Sequence, residues 1–279
     1  MHQQPLILFL HIPKTGGTTL NKHLYRHCHA NKHDIAENNY LHSGIYYFPS
    51  GFFKEPNPSL SPDAQHILAR DDLRAVLGHF CFGIHCHVTR PWTYITLLRN
   101  PVDRIISLFC HLKLAQDMTL EEFALKAPYR EIDNDQTRRI SGLEPALGRC
   151  TRSTLARAKD NLCKYFSVVG LTERFDEFLI LLQRRFRWNK ELYYYLKNVN
   201  PNRPSRNTYS KKTLEAIYDR NALDIQLYAF VQQRLEAHIA RQGQGFHEQL
   251  ECYKSLKRNA LRATDKRASQ KGKLSQQHS

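Results

Sequence analysis

A short strand, a glycine turn and a helix near the start of the chain constrain its fold more than any other stretch. Residues 6–10 are continuously apolar, which predicts a buried strand, and residues 20–28 carry apolar side chains at the spacing of one helix face. Between them, Gly16 and Gly17 permit positive φ and the close approach of a ligand. This arrangement turns backbone N–H groups and the positive end of a helix toward an anion. The stretch therefore predicts a phosphate-binding loop.

The side chains of this loop fit the same interpretation. Thr15, Thr18 and Thr19 add hydroxyl donors, and Lys14 adds a positive charge. In the loop of nucleoside triphosphatases a lysine directly follows the last glycine, whereas Lys14 precedes both glycines here. Taken alone, the stretch also fits an ordinary strand-to-helix turn that carries an exposed lysine.

A second candidate anion site follows a later strand. Residues 93–98 are apolar and β-branched and predict a strand, after which Arg99 emerges where open α/β sheets bind their ligands. The planar guanidinium of Arg99 can hold a phosphate with two hydrogen bonds. Ser107, about two turns into the following helix, can offer a hydroxyl to the same group. The alternative is that Arg99 pairs with Asp103 or caps a backbone carbonyl and so has a structural role.

The remaining patterns alternate between strands and helices. Further strands are predicted at residues 74–79 and 165–171, and a long irregular segment over residues 30–63. This alternation predicts an α/β class with a three-layer, P-loop-like fold, in which helices flank a central, mainly parallel sheet. We assign residues 1–252 to this domain and residues 253–279 to a basic polar tail that we expect to be disordered.

Charge and cysteine content narrow the class of protein. The formal net charge of +15 favours anionic partners. No run approaches the roughly 18–20 apolar residues of a membrane helix, and the N-terminal apolar run is too short for a signal peptide, so we expect a cytoplasmic protein without a transmembrane segment. Seven cysteines without a framework spacing indicate free thiols. Cys81, Cys86 and His87 lack a distant second ligand pair, so the sequence predicts no metal site.

Two motifs, in the order found here, resemble those of sulfotransferases that use 3′-phosphoadenosine 5′-phosphosulfate (PAPS). Lys14–Thr19 resembles their 5′-phosphosulfate loop, and residues 98–107 resemble their 3′-phosphate motif. The sequence of residues 11–19 most resembles the carbohydrate branch related to heparan sulfate 2-O- and 6-O-sulfotransferases, which includes bacterial members. Residues 170–177 and 202–204 are similar to that branch as well. One departure is Asn100, where an acidic residue is frequent in the family.

The resemblance implies a role for each matched residue. Lys14 would contact the phosphosulfate bridge and neutralise the charge that develops on the departing phosphate. Arg99 and Ser107 would hold the 3′-phosphate. The 5′-phosphate would be held by the loop residues Thr15, Gly16, Gly17, Thr18 and Thr19.

A base is needed to take the proton of an acceptor hydroxyl, and histidine suits that task near neutral pH. Among fifteen histidines, His79 matches the Gly-His of the 2-O-sulfotransferase-like branch, where the histidine acts as base. The alternative for His79 is a buried, hydrogen-bonded core residue, and His11 is a candidate structural residue. His85 and His87 are candidates on the acceptor side. Further candidate contacts to the acceptor or the 3′-phosphate are Gln136, Arg138 and Arg203.

These observations predict an enzyme, a PAPS-dependent sulfotransferase that acts on a hydroxyl group, with a carbohydrate as the expected acceptor and no nucleic-acid partner. One alternative is a P-loop nucleotide kinase or phosphotransferase, which would need a lysine after Gly17 and magnesium ligands. Another is a non-catalytic binder of anionic polymers, which would have no need of two separate phosphate motifs at strand ends.

Overall fold

The computed structural model describes residues 4–28, 41–42, 44–48, 62–192 and 204–276. Within these ranges the chain forms strands and helices in alternation. The strands are β1 (Leu6–Leu10), β2 (Leu41–His42), β3 (Ile45–Tyr47), β4 (Ala75–Gly78), β5 (Trp92–Leu98) and β6 (Phe166–Leu171). The helices are α1 (Gly17–Cys28), α2 (Pro62–Leu68), α3 (Pro101–Leu112), α4 (Leu120–Lys126), α5 (Asp135–Ser141), α6 (Arg152–Tyr165), α7 (Phe175–Phe186), α8 (Lys211–Arg220), α9 (Ala222–Ala240) and α10 (Gln244–Gln276).

The strands form a single sheet in the order β2-β3-β4-β1-β5-β6. β3, β4, β1, β5 and β6 pair in parallel, and only β2 runs antiparallel to its neighbour. Parallel neighbours need crossover connections, which the intervening helices supply. The predicted α/β fold, with helices flanking a central, mainly parallel sheet, is confirmed.

The central position of β1 explains its composition and places the glycine loop. All five residues of β1 are buried, as expected for a strand covered by helices on both faces. Leu10 pairs with Gly78 of β4 on one side and with Thr96 of β5 on the other. The segments that follow β1, β4 and β5 therefore leave the sheet at the same edge.

The sheet extends into a segment for which the sequence predicts irregular structure. β2 and β3 lie within residues 30–63, most of which falls outside the described residues. Ile45 and Tyr46 are buried and pair with β4. These strands are two and three residues long, too short to display a periodic pattern, so the expectation of an irregular segment is wrong at this point.

The structure also differs from the expected disordered tail. α10 runs through residue 276, so the expected boundary at residue 253 falls inside a helix. Phe246, Leu250 and Tyr253 are buried at helical spacing, and Lys257 Nζ lies 3.0 Å from both carboxylate oxygens of Asp176 on α7. The helix and its contacts with the domain thus continue past residue 253, through the ion pair of Lys257. Among the described residues, no helix combines the length and apolar character needed to cross a membrane.

Two histidines of α1 predict a loss of stability in mild acid. His23 is fully buried, and the ring of His27 stacks on Trp188 with centroids 4.3 Å apart. Burial, followed by nearby positive groups, lowers the pKa of each histidine from 6.5 to about 4. Between these values the unfolded chain takes up protons that the folded chain excludes, so the free energy of unfolding falls with pH. For His23 the loss amounts to at most about 3 kcal/mol.

Urea unfolding from neutral pH down to about pH 4 measures this effect. His23→Gln and His27→Gln should each flatten the pH dependence, because glutamine does not titrate. His66→Gln is the control, since His66 is exposed on α2. A free energy of unfolding that does not change across this window in the unmodified protein would contradict the prediction.

Candidate active site

The loop between β1 and α1 is fixed by hydrogen bonds to its carbonyl oxygens. Thr15 Oγ1 donates to the carbonyl of Ile12 at 2.9 Å. Arg99 lies directly after β5, and its Nη1 donates to the carbonyl of Lys14 at 3.0 Å. Thr172 Oγ1, which follows β6, donates to the carbonyl of Thr15 at 2.7 Å. Residues at the ends of two other strands therefore hold the loop in place.

These contacts determine where the N–H groups of the loop point. In a trans peptide the carbonyl and the following N–H point in opposite directions, so the N–H groups of Thr15 and Gly16 face away from Arg99 and Thr172. Lys14 and Gly16 have positive φ of 69° and 89°, which bends the chain into a concave turn. The N–H groups of Gly17 and Thr18 have no carbonyl acceptor within the helix, whereas that of Thr19 donates to the carbonyl of Gly16 at 3.1 Å, and the first turn contains no acidic residue. Such an array of donors suits a phosphate.

The hydroxyl of Thr15 does not have the role predicted from the sequence. Thr15 is fully buried, and its hydroxyl donates its proton to the carbonyl of Ile12. Its side chain therefore shapes the loop, and only its backbone N–H is left to point into the concave side of the loop. Thr18 is exposed and Thr19 is partly exposed at the start of α1, where hydroxyl groups can supplement the backbone donors.

Gly17 is required by its neighbour His11. A Cβ atom at residue 17 would lie 2.0 Å from His11 Nε2, so only glycine leaves room for the imidazole. The backbone N–H of His11 donates to the carbonyl of Gly78 at 2.9 Å, which continues the pairing between β1 and β4. His11 thus packs against the first residue of α1, in agreement with a structural role.

The backbone of Arg99 is clamped by an amide side chain. Its N–H donates to Gln136 Oε1, and its carbonyl accepts from Gln136 Nε2, both at 3.0 Å. Asp103 accepts from Arg206 Nη2 at 2.8 Å, so the structure does not show the alternative pairing of Asp103 with Arg99. The other structural alternative, in which Arg99 caps a backbone carbonyl, is present in its hydrogen bond to Lys14. Ser107 lies partly exposed on α3, one turn beyond Asp103. Its contact with a 3′-phosphate stays a prediction.

Asn100, which departs from the motif it resembles, occupies the N-cap of α3, a position that an aspartate would fill equally well. Asn100 Oδ1 accepts from the backbone N–H groups of Val102 and Asp103 at 3.1 and 3.4 Å, which makes it the N-cap of α3. Its own N–H donates to Glu173 Oε1 at 2.9 Å, and Tyr228 donates to the other oxygen of Glu173 at 3.2 Å. Asn100 therefore fixes the start of the helix that carries Ser107.

His79 has the tautomer that a base requires. It follows β4, and its Nδ1 lies 2.8 Å from the carbonyl oxygen of His11. Because a carbonyl only accepts, Nδ1 carries the proton and Nε2 retains a lone pair. Burial is the main cause that lowers the pKa of His79, with a further contribution from Arg139, against the raising effect of the His11 carbonyl. His79 is consequently neutral near neutral pH.

Helix α5 connects His79 with Arg99. Arg139 Nη1 donates to the carbonyl of His79 at 2.6 Å, and Arg139 Nε donates to Asp135 Oδ1 at 3.0 Å. Gln136, on the same helix, clamps Arg99 as described above. The buried carboxylate of Asp224 accepts from the first N–H groups of α5 and so fixes its position. One short helix thereby sets the position of both candidate site residues.

Several other candidates from the sequence have structural roles. Gln136 is fully buried against Arg99, and Arg138 is buried in an ion pair with Asp133 at 2.8 Å, so neither faces a ligand. The expectation that they contact substrate is wrong for this structure. Arg203 lies outside the described residues.

His85 and His87 lie near the end of the sheet at which β5 begins, opposite to the end that carries the loop. They belong to a short 3₁₀ turn, Ile84–His87. The ring of His85 lies 4.4 Å from that of Trp92, the first residue of β5, and its Nδ1 lies 3.1 Å from the hydroxyl of Tyr94. The loop and His79 instead follow the carboxyl ends of strands, so the structure does not support an acceptor-side role for His85 or His87.

Sequence reasoning did not identify Thr172, Arg139 or Asp224 as parts of the site. Thr172 could have been identified, because it belongs to residues 170–177, which resemble the carbohydrate branch. Its function depends on contacts to Thr15 and Leu98, at 2.7 and 3.0 Å, that no local pattern reveals.

Comparison with known proteins agrees with this geometry. The model of the sulfotransferase family matches residues 1–231. The chain belongs to the sulfotransferase family.

Individual relatives are distant. Human heparan-sulfate 6-O-sulfotransferase 3 is 26% identical over 277 residues, which cover 81% of this chain and 56% of that protein. Heparan sulfate 2-O-sulfotransferase 1 of Xenopus laevis is 22% identical, with 86% and 74% covered. Human galactose-3-O-sulfotransferase 3 is 27% identical, with 85% and 58% covered. The chain thus spans little more than half the length of the two human relatives.

Removing the Thr172 hydroxyl should loosen the loop. Thr172→Val keeps the shape of the side chain but leaves the carbonyls of Thr15 and Leu98 without this donor. We expect the free energy of unfolding to fall by roughly 1–3 kcal/mol, since unmade buried hydrogen bonds are costly. Chemical denaturation measures the loss, and Thr172→Ser, which keeps the hydroxyl, should restore most of it. Equal stability of the valine variant and the unmodified protein would show that these bonds do not hold the loop.

Proposed function

We propose that this chain is an enzyme that transfers a sulfuryl group from PAPS to a hydroxyl group of a carbohydrate. The proposal depends mainly on the hydrogen bond from Arg99 to the carbonyl of Lys14. This bond joins the two phosphate motifs at one edge of the sheet, where the neutral His79 also lies. Membership of the sulfotransferase family and the activities of its relatives toward heparan sulfate and galactose support the same function.

The residues of the chain fit a donor with two separate phosphate groups. The N–H groups of the loop would hold the 5′-phosphate, and Arg99 with Ser107 would hold the 3′-phosphate. Lys14 would neutralise the negative charge that develops as the bridging oxygen leaves sulfur. Because these groups supply positive charge without a metal, we propose that transfer requires no divalent cation.

His79 would act as the base toward the acceptor. The acceptor oxygen forms a bond to sulfur while the bond from sulfur to the phosphate oxygen breaks, and Nε2 of His79 takes the hydroxyl proton. This role requires an unprotonated Nε2, which the hydrogen bond from Nδ1 to His11 and the lowered pKa both provide. The net charge of +15 suits an acidic carbohydrate chain as the acceptor.

Adenosine 3′,5′-bisphosphate should stabilise the protein. At about 100 times its dissociation constant a ligand adds about 2.7 kcal/mol to the free energy of unfolding, which a thermal shift measurement detects easily. Adenosine 5′-phosphate should give a smaller shift, because it lacks the group that Arg99 would bind. The shift should be the same with magnesium and with EDTA. A shift that requires ATP and magnesium would favour a kinase instead.

Replacement of His79 should separate catalysis from donor binding. Asparagine retains an N–H donor for the His11 carbonyl but is not a base, so His79→Asn should lower kcat by roughly 10²–10⁴ while leaving bisphosphate binding nearly unchanged. In the unmodified protein kcat/KM should rise with pH to a plateau, with its midpoint at a lower pH than a free imidazole would give, because burial lowers the pKa of His79. Near-normal turnover in the asparagine variant would exclude His79 as the base.

A further inference from the structure

A groove outside the candidate active site lies along β6, the strand at one edge of the sheet. Its volume is about 530 Å³, which is within the range of pockets for small molecules. It lies between the last turn of α6, the start of β6 and the second half of α9. Its principal lining residues are Cys163, Ser167, Phe230, Arg234, His238 and Arg241.

The groove is strongly positive. Arg234, His238 and Arg241 follow one another at spacings of four and three residues, which places them on one face of α9. No carboxylate is among the lining residues, and neither arginine forms an ion pair with any described residue. Lys159 adds a further charge, since its Nζ lies 5.3 Å from the centre of the Phe230 ring. Burial first, and then the charges of Arg234 and Arg241, lower the pKa of His238.

A polar group of the groove also lacks a partner. Ser167 Oγ is buried from solvent and forms no hydrogen bond with the described residues. Buried hydroxyl groups are nearly always paired, so this unpaired hydroxyl in the groove wall is available as a donor to a ligand. Arg234 Nη1 lies 2.9 Å from Cys163 Sγ, a contact that holds the guanidinium beside this wall.

The groove is distinct from the candidate active site. Ser167 is the second residue of β6, whereas Thr172, which contacts the loop, follows its last residue. Five residues of extended strand separate the two positions by roughly 16 Å. A ligand in the groove would therefore lie near the amino ends of the strands, at the end of the sheet opposite to the loop.

We propose that this groove is a second anion site that binds a tetrahedral oxyanion ester, in which Arg234 and Arg241 pair with the anion and Ser167 donates to it. The volume exceeds what a lone oxyanion needs, and the ring of Phe230 offers an apolar wall to the group that carries the ester. Sulfate esters of sugars and phosphate esters share this chemistry. The inference does not depend on the proposed transfer activity.

Nuclear magnetic resonance of the His238 ring tests the proposal locally. The His238 signals are assigned by their loss in His238→Gln, and the titrants are inorganic sulfate, inorganic phosphate, a sulfated monosaccharide and its unsulfated form. Adenosine 3′,5′-bisphosphate is present throughout in one series and absent in another, so that anion binding in the loop is recognised separately. We expect saturable shifts with the anions and none with the unsulfated sugar.

Matched variants decide whether the groove is responsible. Arg234→Gln combined with Arg241→Gln should weaken binding at least tenfold, and Ser167→Ala should weaken it several-fold while keeping both charges. Arg157→Gln, an exposed position on α6 outside the groove lining, should leave binding unchanged. The relative affinities of the sulfated sugar and phosphate identify the source of the ester. Shifts that do not saturate, or that persist unchanged in the double variant, would overturn the proposal.

Discussion

The candidate site depends on the direction of a few carbonyl groups. Peptide N–H groups bind an anion only if their own carbonyls point elsewhere, and a short loop has no regular structure to ensure this. Here Arg99 and Thr172 accommodate the carbonyls of Lys14 and Thr15 on the protein side, and the Thr15 hydroxyl closes the turn. The positive field on the other side is therefore organised before a ligand arrives, which lowers the cost of reorganisation during binding and catalysis.

A second layer of buried polar groups supports this arrangement. Asp135 lies between Arg104 and Arg139 with almost no exposure, and Asp224 holds the start of α5. Buried charges of this kind are costly unless every partner is in place. Their effect here is geometric, because α5 has one position in which Gln136 reaches Arg99 and Arg139 reaches His79. His79 and Arg99 are thereby set relative to each other.

The parts of the structure that depend on local pattern were predictable. β1 is a continuous apolar run, β5 and β6 are rich in apolar and β-branched residues, α4 begins with the capping box of Thr119, and the glycine loop follows from its residues alone. Roles that depend on distant contacts were not. Nothing near Thr15 indicates that its hydroxyl turns inward. The sequence around Gln136 gives no sign that its amide is buried against the backbone of Arg99. β2 and β3 were not predicted, because their strand conformation comes from pairing with neighbouring strands and not from a local pattern.

The contact between Thr172 and Thr15 has a consequence for how the protein acquires its function. These residues are 157 positions apart, and the hydrogen bond closes a loop that contains most of the sheet. Contacts of such long separation slow folding, because the entropy of ordering the intervening chain must be met first. A nascent chain that has completed β1 and α1 still lacks the donors that orient the loop. On the proposed function, anion binding would therefore emerge only when β6 has joined the sheet, and the ligand would recognise the assembled domain instead of its N-terminal motif.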